Sequence, residues 1–280
     1  MTRPEPKHPF HGVPWAGPAP ASLVDQCLAY ALRMPPSEFF SHLTAAELWG
    51  VPLPFRHEWR AGMPLHVSTR ERRAPKAAGV TGHQLFDPAV GVRIRRGLHV
   101  TDPASTFCHL ASILSEEDLV AAGDHLVLSP VYPKGGDPRP HVGLDELRAR
   151  AAAFRGRGSV TARRAARLVR CGAESRRETL LRLRMLSAGL PEPELAVPIV
   201  DGNGCEIARV DMFYRQWRVA VEYDGEQHRT STAQYDRDET RLSDLHHAAV
   251  RVVRIRKRTM DAGDDLRLIA RALREAGASV

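Results

Sequence analysis

The sequence predicts an α+β protein built as two consecutive domains, and three observations lead there. A chain of 280 residues exceeds the commonest domain size yet is short for three domains. Short apolar runs bounded by turn residues (LHVST, GVTGH, VRIRRGLHV) lie between Leu65 and Val100, with helical patterns on both sides. From Glu174 onward the segments follow in the order αβββαβ(α), a separate mixed unit. The expected boundaries are an irregular leader at 1–20, an N-terminal α+β domain at 21–156, a basic helical linker at 157–173 and a C-terminal domain at 174–280.

The leader is rich in Pro and Gly. From Ala21, the residues Leu23, Cys27, Ala29 and Tyr30 recur on one helical face. SHLTAAELWG (41–50) is a second helix, with Thr44 expected as its N-cap and Glu47 at the capping-box position, ended by Pro52 and Pro54. Beyond the strands, Thr101-Asp102-Pro103 opens a helix running through Cys108 towards Leu114, and Ser115 opens another reaching Leu128. VYPKGGDPRPHVG (131–143) is a loop, and Leu144–Phe154 and Thr161–Cys171 are helical. In the C-terminal part a helix spans Glu174–Ala188, with Leu180, Leu183, Met185 and Leu186 for its apolar face and Gly189 to close it. Strands at Leu195–Val200, Cys205–Tyr214 and Trp217–Tyr223 follow, the first two joined by the Asp201-Gly-Asn-Gly204 turn. A helix at Tyr235–His247, a strand at Val250–Ile255 and a helix at Asp264–Ala276 complete the order.

The formal charge of +7 and an isoelectric point near 9.6 suit a polyanionic partner, because each cation that meets a phosphate releases counterions. Nearly all the excess is arginine, which a GC-rich coding composition also produces, so its distribution must decide. Between Arg148 and Arg170 there are eight arginines and no acid. Arg163, Arg164 and Arg167 in that run form either a DNA-backbone patch or a solvated helix face. Cys27, Cys108, Cys171 and Cys205 stand singly, so neither a zinc knuckle nor a disulfide framework is expected, and a reducing cytosol suits them. The opening MTRPEPKHPFHGVPW has no signal-like apolar core and no run of about 18 apolar residues occurs, so secretion and membrane spanning are not expected. A GxxxxGK(S/T) loop is absent, which argues against a nucleotide cofactor. His8, His11, His42, His57, His66, His83, His99, His109, His125 and His141 show neither HExxH nor paired spacing, so no zinc site is expected among them.

The chemistry points instead to carboxylates. Asp211 lies near the end of the second C-terminal strand, and Glu222 and Asp224 lie two residues apart at the end of the third. Strand alternation places Glu222 and Asp224 on one face, and a hairpin through Tyr214–Gln216 brings Asp211 level with Glu222. Acids gathered at the end of the apolar strand VAVEYDG repel one another, and a hard divalent cation is the usual compensation. The same acids can instead mark strand ends facing solvent. Spacing does not separate the two readings.

The strings ESRRETLLRLRMLSAGLPEPE (174–194), RVDMFY (209–214), VAVEYDGEQHR (219–229), DETRLSDL (238–245) and VRVVRIRK (250–257), in this order, resemble the PD-(D/E)xK nuclease core. More closely they resemble its very-short-patch-repair-like endonuclease family, also called domain of unknown function 559. The resemblance implies a restriction-endonuclease-like αβββαβ core that hydrolyses or nicks DNA with Mg²⁺ or Mn²⁺. Matched residue by residue, it makes Glu178 the helix carboxylate and Asp211 the central metal ligand. Glu222 and Asp224 complete the metal set, and His228 is the histidine after the EYDG turn. An acid stands where the general nuclease pattern has lysine, so Asp224 cannot supply that positive charge. His228 takes part of the role, as general base or as a donor to phosphate, with a loop-ordering hydrogen bond as its alternative. Asp238 and Arg241 match a DxxR motif, which sets Arg241 beside the acids or on phosphate, against a solvated i,i+3 ion pair. The match also places Arg254 near the site. Two positions depart from the family: Arg176 replaces a proline, and Ala249-Val250 replaces a common Gly-Trp.

SHLTAAELWGVPLP, LHVST and GLHVTDPASTFCHLAS resemble the AbiEi-like region that accompanies such domains in actinobacterial proteins, labelled after antitoxin regulators. This resemblance implies a winged-helix-like, DNA-interacting module, although no recognition helix with a basic N-terminal face is visible. The expected function is that of a Mg²⁺-dependent endodeoxyribonuclease acting on DNA. The rivals are a non-catalytic DNA-binding regulator of antitoxin type that keeps the fold, and a nuclease-like scaffold acting through protein partners.

Overall fold

The computed structural model describes residues 20–71, 73–131, 133, 137–225 and 232–280; the expected leader falls outside these except for Pro20. The protein is α+β and divides into two compact units, one of residues 1–127 with 133–169, the other of 128–132 with 170–280. No helix among the described residues is long and apolar enough to cross a membrane.

In the first unit the elements are α1 (Leu23–Ala31), β1 (Glu38–Phe40), α2 (His42–Leu48), β2 (Leu65–Thr69), β3 (Val80–Gln84), β4 (Val92–Arg95), β5 (Leu98–Thr101), α3 (Pro103–Leu110), α4 (Glu116–Val127), α5 (Leu144–Ala153) and α6 (Ser159–Leu168). A capping box starts α1: the Asp25 amide donates to Ser22 Oγ and the Ser22 amide to Asp25 Oδ2, both at 3.1 Å. The expected face of α1 is buried, with Leu23, Cys27, Ala29 and Tyr30 all in the core. The strands form one mixed sheet in the order β3-β2-β1-β5-β4. The short strand β1 lacks the alternating pattern that marks its neighbours in the sequence, and pairing on both sides holds it in the sheet.

The start of α2 differs from expectation. Ser41 occupies the N-cap position, and the two residues expected to cap the helix serve tertiary contacts instead. Thr44 Oγ1 accepts the His66 amide at 2.8 Å, and Glu47 Oε1 accepts the Trp59 amide at 2.7 Å. The arginine-rich segment also has a place in this unit, since α6 buries Ala162, Ala165 and Ala166 against its neighbours. Small alanines let α6 approach α4 and α5 closely, while Arg164 and Arg167 stay on its solvent side.

The second unit contains α7 (Arg176–Ser187), β6 (Glu194–Val200), β7 (Glu206–Tyr214), β8 (Val219–Asp224), α8 (Thr232–His247), β9 (Arg251–Arg256), α9 (Lys257–Asp261) and α10 (Asp265–Glu275). The order is αβββαβ followed by two helices, of which the short α9 has no signal in the periodicity. The sheet runs β6-β7-β8-β9, antiparallel at the first two junctions and parallel at the last. β8 is buried on both faces, as its apolar run VAV demands. Val219 and Val221 pack with Leu181 and Met185 of α7 and Ile269 and Leu273 of α10, whereas Ala220 packs with Leu245 of α8. The sheet is therefore sandwiched between helices.

The departure at Ala249 lands where backbone geometry matters. After α8 the Ala249 and Val250 amides return to His246 and Leu245 carbonyls, closing the helix with Ala249 at φ 54°. A Cβ is disfavoured in that left-handed region and glycine is at home there. Ala249 is exposed, so its methyl packs little. Ala249→Gly is therefore expected to raise stability by about 1 kcal/mol in urea unfolding. A fall in stability on substitution would mean that the strain is not present in solution.

Candidate functional site

Three carboxylates from three elements meet in the second unit. Pairing of β7 with β8 through Met212↔Val221 sets Asp211 across from Glu222, as the hairpin reading expects. Asp211 leaves the ladder at that point, and its Oδ2 accepts the Tyr223 amide at 2.8 Å. On its other side the β6–β7 register skips the 196/211 pair, with Ala196 at φ 51°. The strands change face there: Met212 and Tyr214 belong to the core under α7 and α10, while Ala208 and Val210 belong to the core around Leu245. Glu178 reaches the same region from the first turn of α7. Its amide donates to the capping Ser175 Oγ at 3.2 Å, and its Oε2 accepts the Glu174 amide at 2.8 Å.

These acids are electrostatically crowded. Burial pushes the Asp211 carboxyl up to about 7, and the charges of Glu178 and Glu222 add to the rise against the Tyr223 amide and Arg241. Burial also raises Glu178. Glu222, only 7% exposed, is gripped by both ends of one guanidinium: Arg241 Nη1 donates to Oε2 at 3.2 Å and Nη2 donates to Oε1. Arg241 Nη2 also donates to the Arg209 carbonyl at 2.9 Å, which fixes the fork. Arg254 faces Glu222 across the β8–β9 pairing, its Nε 3.8 Å from Oε2. Asp224 faces Arg256, whose Nε donates to Oδ2 at 3.1 Å.

Neither Asp211, Glu222 and Asp224 nor Glu178, Asp211 and Glu222 have ligand atoms all within 4.8 Å of one another; among the described residues that description belongs to His42, His66 and His83. Asp224 pairs with Arg256, and Glu178 lies within electrostatic range of Asp211. Histidine spacing gives no sign of this grouping. Those histidines come from three elements, and contact between distant elements leaves no trace in linear spacing.

The remaining expected residues are distributed as follows. His228 and the side chain of Asp238 lie outside the described residues. Arg241 and Arg254 stand at Glu222. Arg163, Arg164 and Arg167 belong to the first unit. Arg163 Nη1 donates to the Phe154 carbonyl at 3.3 Å, and Arg164 Nε lies 3.0 Å from Glu116. The acid-free run is therefore partly compensated by acids from elsewhere in the chain, with Arg150 2.6 Å from Asp87 and Arg170 3.0 Å from Glu192. Cys27, Cys108, Cys171 and Cys205 are all free thiols.

The raised Asp211 carboxyl has a consequence for stability. Unfolded, it titrates near 4, whereas in the fold it titrates at about 7. The folded state therefore holds the extra proton between those values, and its advantage is lost as pH rises through about 7. Asp211→Asn keeps an oxygen for the Tyr223 amide and removes the charge. In EDTA it should melt with the wild type near pH 4 and a few degrees above it near pH 8. A difference that does not change with pH would overturn the assignment.

No family model matches the chain, and no solved structure matches it. Two Mycobacterium tuberculosis proteins, "Uncharacterized protein MT2308" and "Uncharacterized protein Rv2248", from different strains, are each 31% identical to it over 215 residues, which cover 76% of this chain and 72% of theirs. The chain belongs to the family of these two mycobacterial proteins.

Proposed function

We propose that the protein is a divalent-metal-dependent endonuclease that hydrolyses or nicks DNA at the Glu178–Asp211–Glu222 cluster. The carrying observation is that Asp211 of β7 is held within electrostatic range of Glu178 of α7 and Glu222 of β8, mostly out of water, which raises its carboxyl to about 7. The very-short-patch-repair-like motifs support the same reading. As hard oxygen donors whose crowding raises Asp211, the acids suit Mg²⁺ or Mn²⁺ in chemistry. Glu178 and Asp211 would hold the ion, with Glu222 beside them. Bound there, the ion would acidify a water and neutralise charge on a phosphodiester.

The chain's own groups have definite roles under this proposal. The Tyr223 amide orients the Asp211 carboxylate, and Arg241 orients Glu222. Arg254 places positive charge beside the acids, where a phosphate would otherwise meet only negative charge. Asp224, paired with Arg256, stands at the edge of the site. DNA is the proposed partner, with the exposed side of α6 as a backbone contact.

A second reading has its own observation. Arg241 and Arg256 already neutralise Glu222 and Asp224, which is how a nuclease-like domain that only binds DNA would dispense with a metal. Plasmid nicking separates the two. Wild-type protein with Mg²⁺ or Mn²⁺ should nick supercoiled DNA, EDTA should stop it, and Asp211→Asn should lower the rate by about 100-fold or more while binding in Ca²⁺ stays intact. Equal nicking by wild type and variant would move the binding-only reading ahead. Replacing Arg163, Arg164 and Arg167 with alanine should weaken binding evenly across sequences and flatten the log–log salt slope by about 0.9 for each phosphate no longer neutralised. An unchanged slope would identify α6 as a solvated face.

A further inference from the structure

In the first unit four imidazoles gather around one cavity of about 790 Å³. His42 opens α2, His66 lies on β2, His83 on β3 and His109 near the end of α3. The parallel β2–β3 register pairs His66 with Thr81 and Ser68 with His83, so His66 and His83 share a face of the sheet. Their Nδ1 and Nε2 atoms stand 2.9 Å apart. His42 stacks on His83 with centroids 3.7 Å apart and on His109 at 4.9 Å. One ligand atom from each of His42, His66 and His83 lies within 4.8 Å of the others.

Several features of the cluster are hard to explain as packing alone. His42 holds a φ of 49°, a left-handed conformation that a residue with a side chain adopts at some cost. Neither ring nitrogen of the 4% exposed His109 has a hydrogen-bond partner among the described residues. Buried polar atoms of that kind are rare and call for a ligand, an ion or water. Burial, with help from neighbouring charges, pushes His66 and His109 down to about 4 and His42 lower still, so the rings are neutral and keep a lone pair for coordination. His42 also has an orienting partner. Its Nδ1 meets Ser41 Oγ at 2.9 Å, and Ser68 Oγ donates to Ser41 Oγ at 2.6 Å. In the tautomer whose Nδ1–H donates to Ser41 Oγ the ring is fixed and Nε2 keeps the lone pair that binds a metal.

We propose that His42, His66 and His83 form a three-imidazole site for a borderline transition-metal dication of the Zn²⁺ class, with its remaining position open to the cavity. Three nitrogen ligands plus one open position is the donor set of exchange-competent zinc centres, whereas closed structural sites take four protein ligands. The proton between His66 and His83 moves to the far nitrogen of its ring when the metal enters, so both imidazoles bind neutral. His109, Phe154 and Asp87 line the cavity that the open position faces. This site lies in the first unit and does not depend on the carboxylate cluster of the second.

The test uses the full chain, stripped with a chelator and titrated with Zn²⁺ by calorimetry and with Co²⁺ by visible absorption. The wild type should take up one equivalent with the visible bands of a low-coordinate Co²⁺ site. His66→Gln and His83→Gln should each weaken uptake by about 100-fold or more. His83 lies on the edge strand β3, so its variant carries the test if His66→Gln fails to fold by circular dichroism. His125→Gln should bind as the wild type does, which separates this site from the His125–His141 pair, whose ring centroids are 5.9 Å apart, and excess Mg²⁺ in every titration keeps the carboxylates of the second unit from contributing. No uptake by the wild type, or full uptake by a folded His66 or His83 variant, would overturn the assignment.

Discussion

The Asp211 carboxylate accepting the Tyr223 amide is the contact around which the second unit is organised. It replaces a ladder bond at the point where β7 leaves regular pairing with β8, opposite Ala196 in its left-handed conformation. That break lets the strands turn one core towards α7 and α10 and the other towards α8. The buried acid then sits where Glu178 can approach it from α7 and Glu222 from β8. A regular ladder would instead commit Asp211 to a single face of the sheet.

Once that acid is in place, the surrounding charges follow from electrostatics. Like charges withdrawn from water must be offset, and the fold supplies arginines: Arg241 and Arg254 for Glu222 and Arg256 for Asp224. Among the described residues Asp211 forms no arginine ion pair, and it is the member whose carboxyl rises most clearly. The most perturbed group is thus also the one to which a cation would bring the greatest relief. The site is a contest between fixed guanidinium charges and any ion that enters.

The first unit solves a different problem. Its cavity is lined by neutral rings, where desolvation rather than like-charge repulsion sets the chemistry. The Ser41–Ser68 hydroxyl pair and the stacked rings keep His42 in a backbone conformation that it would not choose alone. Two units with unlike donor sets, hard oxygens in one and imidazole nitrogens in the other, would select different ions. They share a chain without sharing a chemistry.

Local periodicity made much of this legible. The αβββαβ order, the buried face of α1 and the turn at Asp201 follow from patterns a few residues long, because side-chain period and turn chemistry are local properties of the backbone. Asp211 and Glu222 were also legible as opposite neighbours, since a short hairpin carries its register with it. What only the tertiary structure decided is who neutralises whom. Arg256 pairs with Asp224, Glu116 compensates Arg164, Thr44 and Glu47 leave their helix end for His66 and Trp59, and His42, His66 and His83 meet from three separate elements. These partners lie far apart in sequence, and their pairing is settled by which elements the core brings together, a condition that residue spacing does not encode.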